Sequence, residues 1–243
     1  MAAPSFPKGQ HAPPGDNGFL RSLSPHGLAL LKPDLHFVSL PFQHVLRRGG
    51  EPPTFVYFLS EGLVSLMIHS ATGKSAEVGV IGRESLAPAP LIDPQDPVTQ
   101  IVQIAGNGYR ISVEAIRRIL NHDAELRVLA ARHSATLGMQ VEQIAGCNAL
   151  HHAEQRLARW LLMVNDRVPV NPVPLTQEFL GLLLGITRSR VSEIANALER
   201  KGAITLRRES IEIRSRAALE RCSCECYEII AGLLFGHQPD PPR

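Results

Sequence analysis

Leu175-Thr176-Gln177-Glu178-Phe179-Leu180, then Gly185-Ile186-Thr187-Arg188-Ser189-Arg190-Val191-Ser192-Glu193-Ile194, running on to Leu198-Glu199-Arg200-Lys201-Gly202, is the stretch that decides the fold. Thr176 stands where a helix N-cap belongs, and Phe179, Leu180, Leu183 and Leu184 follow at helical spacing. Gly185 comes where the chain must turn sharply. Ile186 is expected to be buried in that turn, and Thr187 is placed to cap a second helix. On that helix Val191, Ile194, Ala195 and Leu198 share one face. The opposite face carries Ser189, Ser192, Glu193 and Asn196, flanked by Arg188 and Arg190. Two short helices in this relation form a helix-turn-helix, whose second helix enters the DNA major groove with its amino-terminal residues on base edges. Hydroxyl, amide, carboxylate and guanidinium groups are the chemistry that reads those edges.

Downstream, Ile204-Thr205-Leu206 and Ile211-Glu212-Ile213 read as two strands joined by Arg207-Arg208-Glu209-Ser210. A hairpin with basic residues at its tip is a wing suited to phosphate contact. From Arg156 to Arg221 twelve Lys and Arg face seven Asp and Glu, although the whole chain carries only +2. Positive charge gathered in one module is the footprint of a nucleic-acid binder. DNA-binding candidates are Thr176, Gln177, Thr187, Arg188, Ser189, Arg190, Ser192, Glu193, Asn196, Arg207 and Arg208.

Upstream the period lengthens. From Val113 to about Val164 helical spacing dominates and proline is absent; Pro169, Pro172 and Pro174 then end the run. Ala130, His133, Leu137, Gln140, Ile144, Cys147 and His151 alternate steps of three and four. Such a narrow seam most simply packs against its copy in a second chain, so the first five are expected at a homodimer interface. Packing on the chain's own sheet is the alternative.

Further upstream, about Phe19 to Ser112, the signal is β. The runs Phe55–Leu59, Leu63–Ile68 and Ile101–Ile104 are separated by Gly49-Gly50, Glu61-Gly62, Thr72-Gly73, Ile81-Gly82 and Gly106-Asn107-Gly108, all read as turns. A small barrel or sandwich is expected. Residues 1–18 and 236–243 read as loose tails. The organisation expected is a tail (1–18), a β sensor domain (19–112), a connecting and dimerisation helix (113–149), a winged helix-turn-helix (150–221) and a cysteine-containing terminal segment (222–243). The class is α+β.

These parts resemble, in the same order, the Crp/Fnr family of bacterial transcription regulators. The likeness covers roughly residues 20–225. It is carried by the helix-turn-helix stretch, by Tyr57-Phe58-Leu59-Ser60-Glu61-Gly62 and by Glu77-Val78-Gly79-Val80-Ile81-Gly82-Arg83-Glu84. It implies a β-roll of the cyclic-nucleotide-binding type, a long dimer helix and a homodimer on a near-palindromic operator. Its partners would be double-stranded DNA, a second copy and, for an activator, RNA polymerase. Members that bind cyclic nucleotides place a glutamate on the ribose and, further on, an Arg-Ser or Arg-Thr pair on the phosphate. Gly82, Arg83 and Glu84 are the effector-binding candidates. The phosphate pair would fall near Val98-Thr99, where arginine is missing, and Asp93 and Asp96 stand there instead. Carboxylates repel a phosphate, so a signal other than cyclic AMP is expected.

Four cysteines remain: Cys147, Cys222, Cys224 and Cys226. The stretch before Gly18 lacks an apolar signal core and no run reaches the roughly 20 apolar residues of a membrane span. A cytoplasmic address with reduced thiols is the expectation, with no membrane partner. Three alternating thiols suit a metal, as zinc or an iron–sulfur cluster, or a redox switch. That is the second functional reading, a regulator sensing through these four cysteines. The competing view makes them buried packing residues, with His151 and His152 solvated or packed. No phosphate-binding glycine loop, metalloprotease motif or nucleophile elbow is found, and an enzyme is not expected.

Overall fold

The computed structural model describes residues 16–73, 75–89 and 95–235. Of the expected tails, residues 1–15 and 236–243 lie outside the described residues, as do Asp93 and Pro94, whereas residues 16–18 are not tail: Asn17 is buried and Gly18 begins a helix. The chain forms two units: residues 1–66 with 80–135, and residues 67–79 with 136–243.

The sheet-rich N-terminal region, residues 36–112, is a β-roll. Its strands are β1 (His36–Leu40), β2 (Val45–Arg47), β3 (Phe55–His69), β4 (Ser75–Ile81), β5 (Leu86–Ala87) and β6 (Thr99–Ser112). Its β3–β4 hairpin includes residues 67–79. The order is β1-β6-β3-β4, with β2 also on β6 and β5 on β3. β1 and β6 run antiparallel from His36 opposite Arg110 to Leu40 opposite Gly106. Two glycine groups read as turns are instead inside strands. Gly62 interrupts nothing: β3 passes through it with φ +95°. A Cβ at Gly106 would come within 2.1 Å of the Glu61 carbonyl, and one at Gly108 within 2.2 Å of the Phe58 carbonyl. Glycine is there because β3 and β6 cross too closely for any side chain.

Helices, not strands, open the first unit. They are α1 (Gly18–Arg21) and α2 (Pro25–Leu31). The buried Asn17 caps α1 by accepting from the Leu20 amide at 3.1 Å. Its own amide donates to the carbonyls of Leu59 (3.0 Å) and Ser85 (2.7 Å). Ser24 caps α2, with Pro25 in the first turn, where its missing N–H costs nothing. The β signal was extended too far back because these helices are too short to show a period. α3 (Val113–His122) starts on a Ser112 cap and packs Ile116, Ile119 and Leu120 on a core with Phe19, Leu31, Val56, Phe58 and Ile111.

α4 (Ala124–Leu150) runs through both units. α5 (Ala153–Arg167) buries Leu157, Trp160, Leu161 and Val164 and stops before the prolines. The second unit then adds β7 (Val173–Pro174), α6 (Gln177–Leu184), α7 (Arg188–Arg200), β8 (Ile204–Leu206), β9 (Ser210–Ile213), α8 (Arg216–Cys222) and α9 (Cys226–Phe235). Strands pair antiparallel in the order β7-β9-β8. The sequence reading found the β8–β9 wing and missed β7, a two-residue strand with proline in it. It also read 222–235 as a terminal segment where the chain forms α9. Asp166 of α5, Arg216 of α8 and Tyr227 of α9 lock these helices together. Arg216 lies 2.8 Å from the Asp166 carboxylate, and the Tyr227 hydroxyl donates to it at 3.0 Å.

Candidate functional site

The helix-turn-helix is α6, Gly185 and α7. Thr176 Oγ1 accepts from the Phe179 amide at 3.1 Å, as its position demands. Gly185 adopts φ +65°, ψ +33°, the left-handed region open to glycine. Its amide bonds back to Leu182 O and the Ile186 amide to Gly181 O, which closes a Schellman motif and ends α6. Thr187 occupies the N-cap position of α7 but makes no capping bond; its hydroxyl pairs with Ser189 Oγ at 3.1 Å. Val191, Ile194, Ala195 and Leu198 are buried.

The opposite face is open. Arg188, Ser189, Arg190, Glu193 and Asn196 are exposed, with Ser192 half-buried. These groups are tethered to one another. Arg188 Nε donates to Gln177 Oε1 at 3.3 Å, and Ser192 Oγ reaches the same oxygen at 3.4 Å. Arg190 pairs with Glu193 at 2.6 Å. Gln177, from the first helix, therefore links to two polar side chains of α7. In the wing Arg207 pairs with Glu212, which Arg214 also contacts at 2.9 Å. The two guanidiniums, Arg207 first, hold the Glu212 carboxyl below the usual carboxylate range. Arg208 is exposed.

Residues 155–222, the segment that contains this assembly, match the family of the Crp-like helix-turn-helix domain. Solved structures extend the likeness to the fold of most of the chain. The c-di-GMP-responsive global regulator CLP of Xanthomonas campestris is 15% identical with TM-score 0.63, covering 79% of this chain and 100% of that one. FixK2 of Bradyrhizobium japonicum is 16% identical, TM-score 0.66, covering 78% and 98%. A Crp/Fnr transcriptional regulator from Thermus thermophilus is 18% identical, TM-score 0.62, covering 77% and 98%. No curated protein sequence matches the chain. The expected fold is thus present: a β-roll, a long helix and a segment similar to the Crp-like helix-turn-helix domain. Among the described residues no helix is long and apolar enough to cross a membrane.

Several residues of the expected dimer seam are buried within the single chain. Ala130 lies in the β-roll core. His133 packs on the Phe19 ring (centroids 5.0 Å apart) and meets Ser85 Oγ at 3.1 Å. Gln140 and Ile144 are buried within the single chain, and Leu137 is half-buried. The exposed face of α4 instead carries Val128, Ala131, Ala135, Met139 and Glu142, again at steps of three and four. Both faces have the same period, so periodicity could not choose between them.

Of the effector candidates, Glu84 is turned onto its own loop: both carboxylate oxygens accept from the Gly82 amide at 3.1 Å. The Arg83 carbonyl accepts from the Gly18 amide at 2.6 Å. Asp96 has a guanidinium that the local sequence did not show. Arg47, buried on β2, contacts its carboxylate at 2.8 Å and also donates to the Asp96 and Val98 carbonyls. The Asp96 carboxylate is therefore met by an arginine from a strand nearly fifty residues earlier.

Among the cysteines, Cys147, Cys224 and Cys226 are buried together, and His151 joins them. Cys222, at the end of α8, is not in this group. Cys147 Sγ is 3.5 Å from Cys224 Sγ, and His151 Nδ1 is 3.7 Å from Cys226 Sγ. Burial pushes the Cys224 thiol up to about 12 and raises Cys226 as well. His151 follows Cys147 by one helical turn, the spacing that puts two side chains on one face. That signal was in the sequence and was passed over in favour of the nearer Cys222.

Proposed function

We propose that the protein is a sequence-specific DNA-binding transcription regulator that acts as a homodimer on a near-palindromic operator. The observation that carries this is the exposed polar face of α7, held against a buried apolar face by the Schellman turn at Gly185. Arg188, Ser189, Ser192, Glu193 and Asn196 read bases, and the wing's Arg207 and Arg208 hold phosphates. Thr176, Gln177, Thr187 and Arg190 support that surface. The dimer forms through the outer face of α4, around Ala135 and Met139. The solved relatives include a regulator responsive to c-di-GMP; here the signal is not cyclic AMP, because the loop after Glu84 lacks an arginine of its own and carries carboxylates. RNA polymerase is the further partner if the protein activates.

Selection of bound duplexes from a random pool, with and without reductant, tests the reading. The expected result is an inverted repeat with half-sites about one helical turn, roughly 34 Å, apart. Binding with no enriched sequence would overturn it.

A further inference from the structure

We propose that Cys147, His151, Cys224 and Cys226 bind one zinc ion in a tetrahedral site of three sulfurs and one nitrogen. The inference does not depend on the DNA-binding reading. The four donor atoms lie within 4.8 Å of one another. A zinc ion about 2.3 Å from each thiolate sets tetrahedral sulfurs about 3.8 Å apart. The separations of 3.5 Å between Cys147 and Cys224, and of 3.7 Å between Cys226 and His151, match that to a few tenths of an ångström. An iron–sulfur cluster spreads its cysteines over two or more irons, and so needs a wider set than this one. Three soft donors and an imidazole around one point suit a single zinc.

The surroundings are built as a metal site's are. His151 turns Nδ1 inward while its outer nitrogen, Nε2, lies 3.2 Å from the Glu225 carboxylate. A carboxylate on the outer N–H of an imidazole fixes tautomer and ring direction for a metal ligand. Gln143 donates its amide N–H to Cys226 Sγ at 3.1 Å, tempering a thiolate's charge. Packing alone explains buried thiols, but not an imidazole held by a carboxylate and aimed among them. The ligands come from two places. Cys147 and His151 lie at the end of α4; Cys224 and Cys226 flank Glu225 where α8 passes into α9. Binding releases one proton from each of the three thiols and joins the end of α4 to the start of α9.

The test uses the full chain, purified under reductant, with zinc as the probe. Elemental analysis should find one zinc per chain, and cobalt in its place should show the intense visible bands of tetrahedral thiolate coordination. Cys222→Ser should keep the metal. Cys224→Ser and Cys226→Ser should lose it, and His151→Cys should keep it. Glu225→Gln, an exposed change that leaves the fold intact, should weaken zinc about 10–100-fold in chelator competition. The proposal is overturned if Glu225→Gln and Cys226→Ser hold zinc as tightly as the parent, or if Cys222→Ser releases it. Iron with acid-labile sulfide, or a Cys147–Cys224 disulfide in protein kept reduced from lysis, would overturn it equally.

Discussion

The Sγ atoms of Cys147 and Cys224 lie 3.5 Å apart although 77 residues separate them. That contact joins the last turn of the long helix to the link between α8 and α9. With free zinc a hundredfold above its Kd, the folded chain gains about 2.7 kcal/mol. Scanning calorimetry should therefore show a lower Tm after chelation. The drop should vanish in Cys224→Ser, whose Tm chelator cannot lower; a parent protein indifferent to chelation would contradict this.

Base reading and phosphate holding separate by salt titration on operator and random duplexes. Arg188→Ala should cost about 1–3 kcal/mol on the operator and little on random DNA, relaxing one position in each half-site. Arg208→Ala should weaken both alike and reduce the salt slope by about one. Equal losses from both substitutions on both duplexes would remove the division between helix and wing.

Gly185 is held at φ +65° with nothing within 4 Å of where a Cβ would be. A substitution there meets no clash, only backbone strain. Gly185→Ala should destabilise the domain by about 1–2 kcal/mol in urea, and Gly185→Asn by less, since Asn tolerates the left-handed region better. A neutral Gly185→Ala would show that the turn relaxes.

The dimer proposed above rests on the outer face of α4. Met139 is 41% exposed, whereas Ile144 is 4% exposed within the single chain. Met139→Asp should give folded monomers by light scattering with an unchanged circular dichroism spectrum. Ile144→Asp should unfold the protein instead, because it buries a charge with no partner. A dimeric Met139→Asp, Ala135→Asp double variant would place the interface elsewhere.

Burial lowers the His133 pKa, with Glu84 opposing it weakly. The imidazole sits between the Phe19 ring and the Ser85 hydroxyl. The unfolded chain then takes up this proton first as pH falls through about 6.5. Stability from this group is present above that pH and declines below it, until the folded value is reached. Urea unfolding at pH 7.5 and 5.5 should show the decline in the parent and a smaller one in His133→Asn. Equal pH dependence in the two proteins would exclude His133 as its source.

The two helices and the turn of the helix-turn-helix were legible because their signals are local, although Thr187 makes no capping bond and Ile186 is only half-buried. A cap, an apolar period, a glycine needing positive φ and a second period all fall within 27 residues of chain, from Thr176 to Gly202. The β-roll was legible as a set of strands but not as their crossings. Gly62, Gly106 and Gly108 look like turns in one dimension, and the close approach of β3 to β6 that requires them depends on the pairing of strands some forty residues apart.

By itself, then, the sequence determined the two helices of the helix-turn-helix, the polar face of the second, the wing and the order of parts, since backbone propensity and side-chain period act over a few residues. Tertiary structure alone decided three things. Of two faces of α4 with equal period, it turned Ala130 and Ile144 inward and left Met139 out, because only one face can meet the chain's own core. It brought Arg47 to Asp96. And it selected His151 over Cys222 beside Cys147, Cys224 and Cys226. The donor set of such a site is chosen by where α4 and α9 converge, and proximity along the chain carries no information about that.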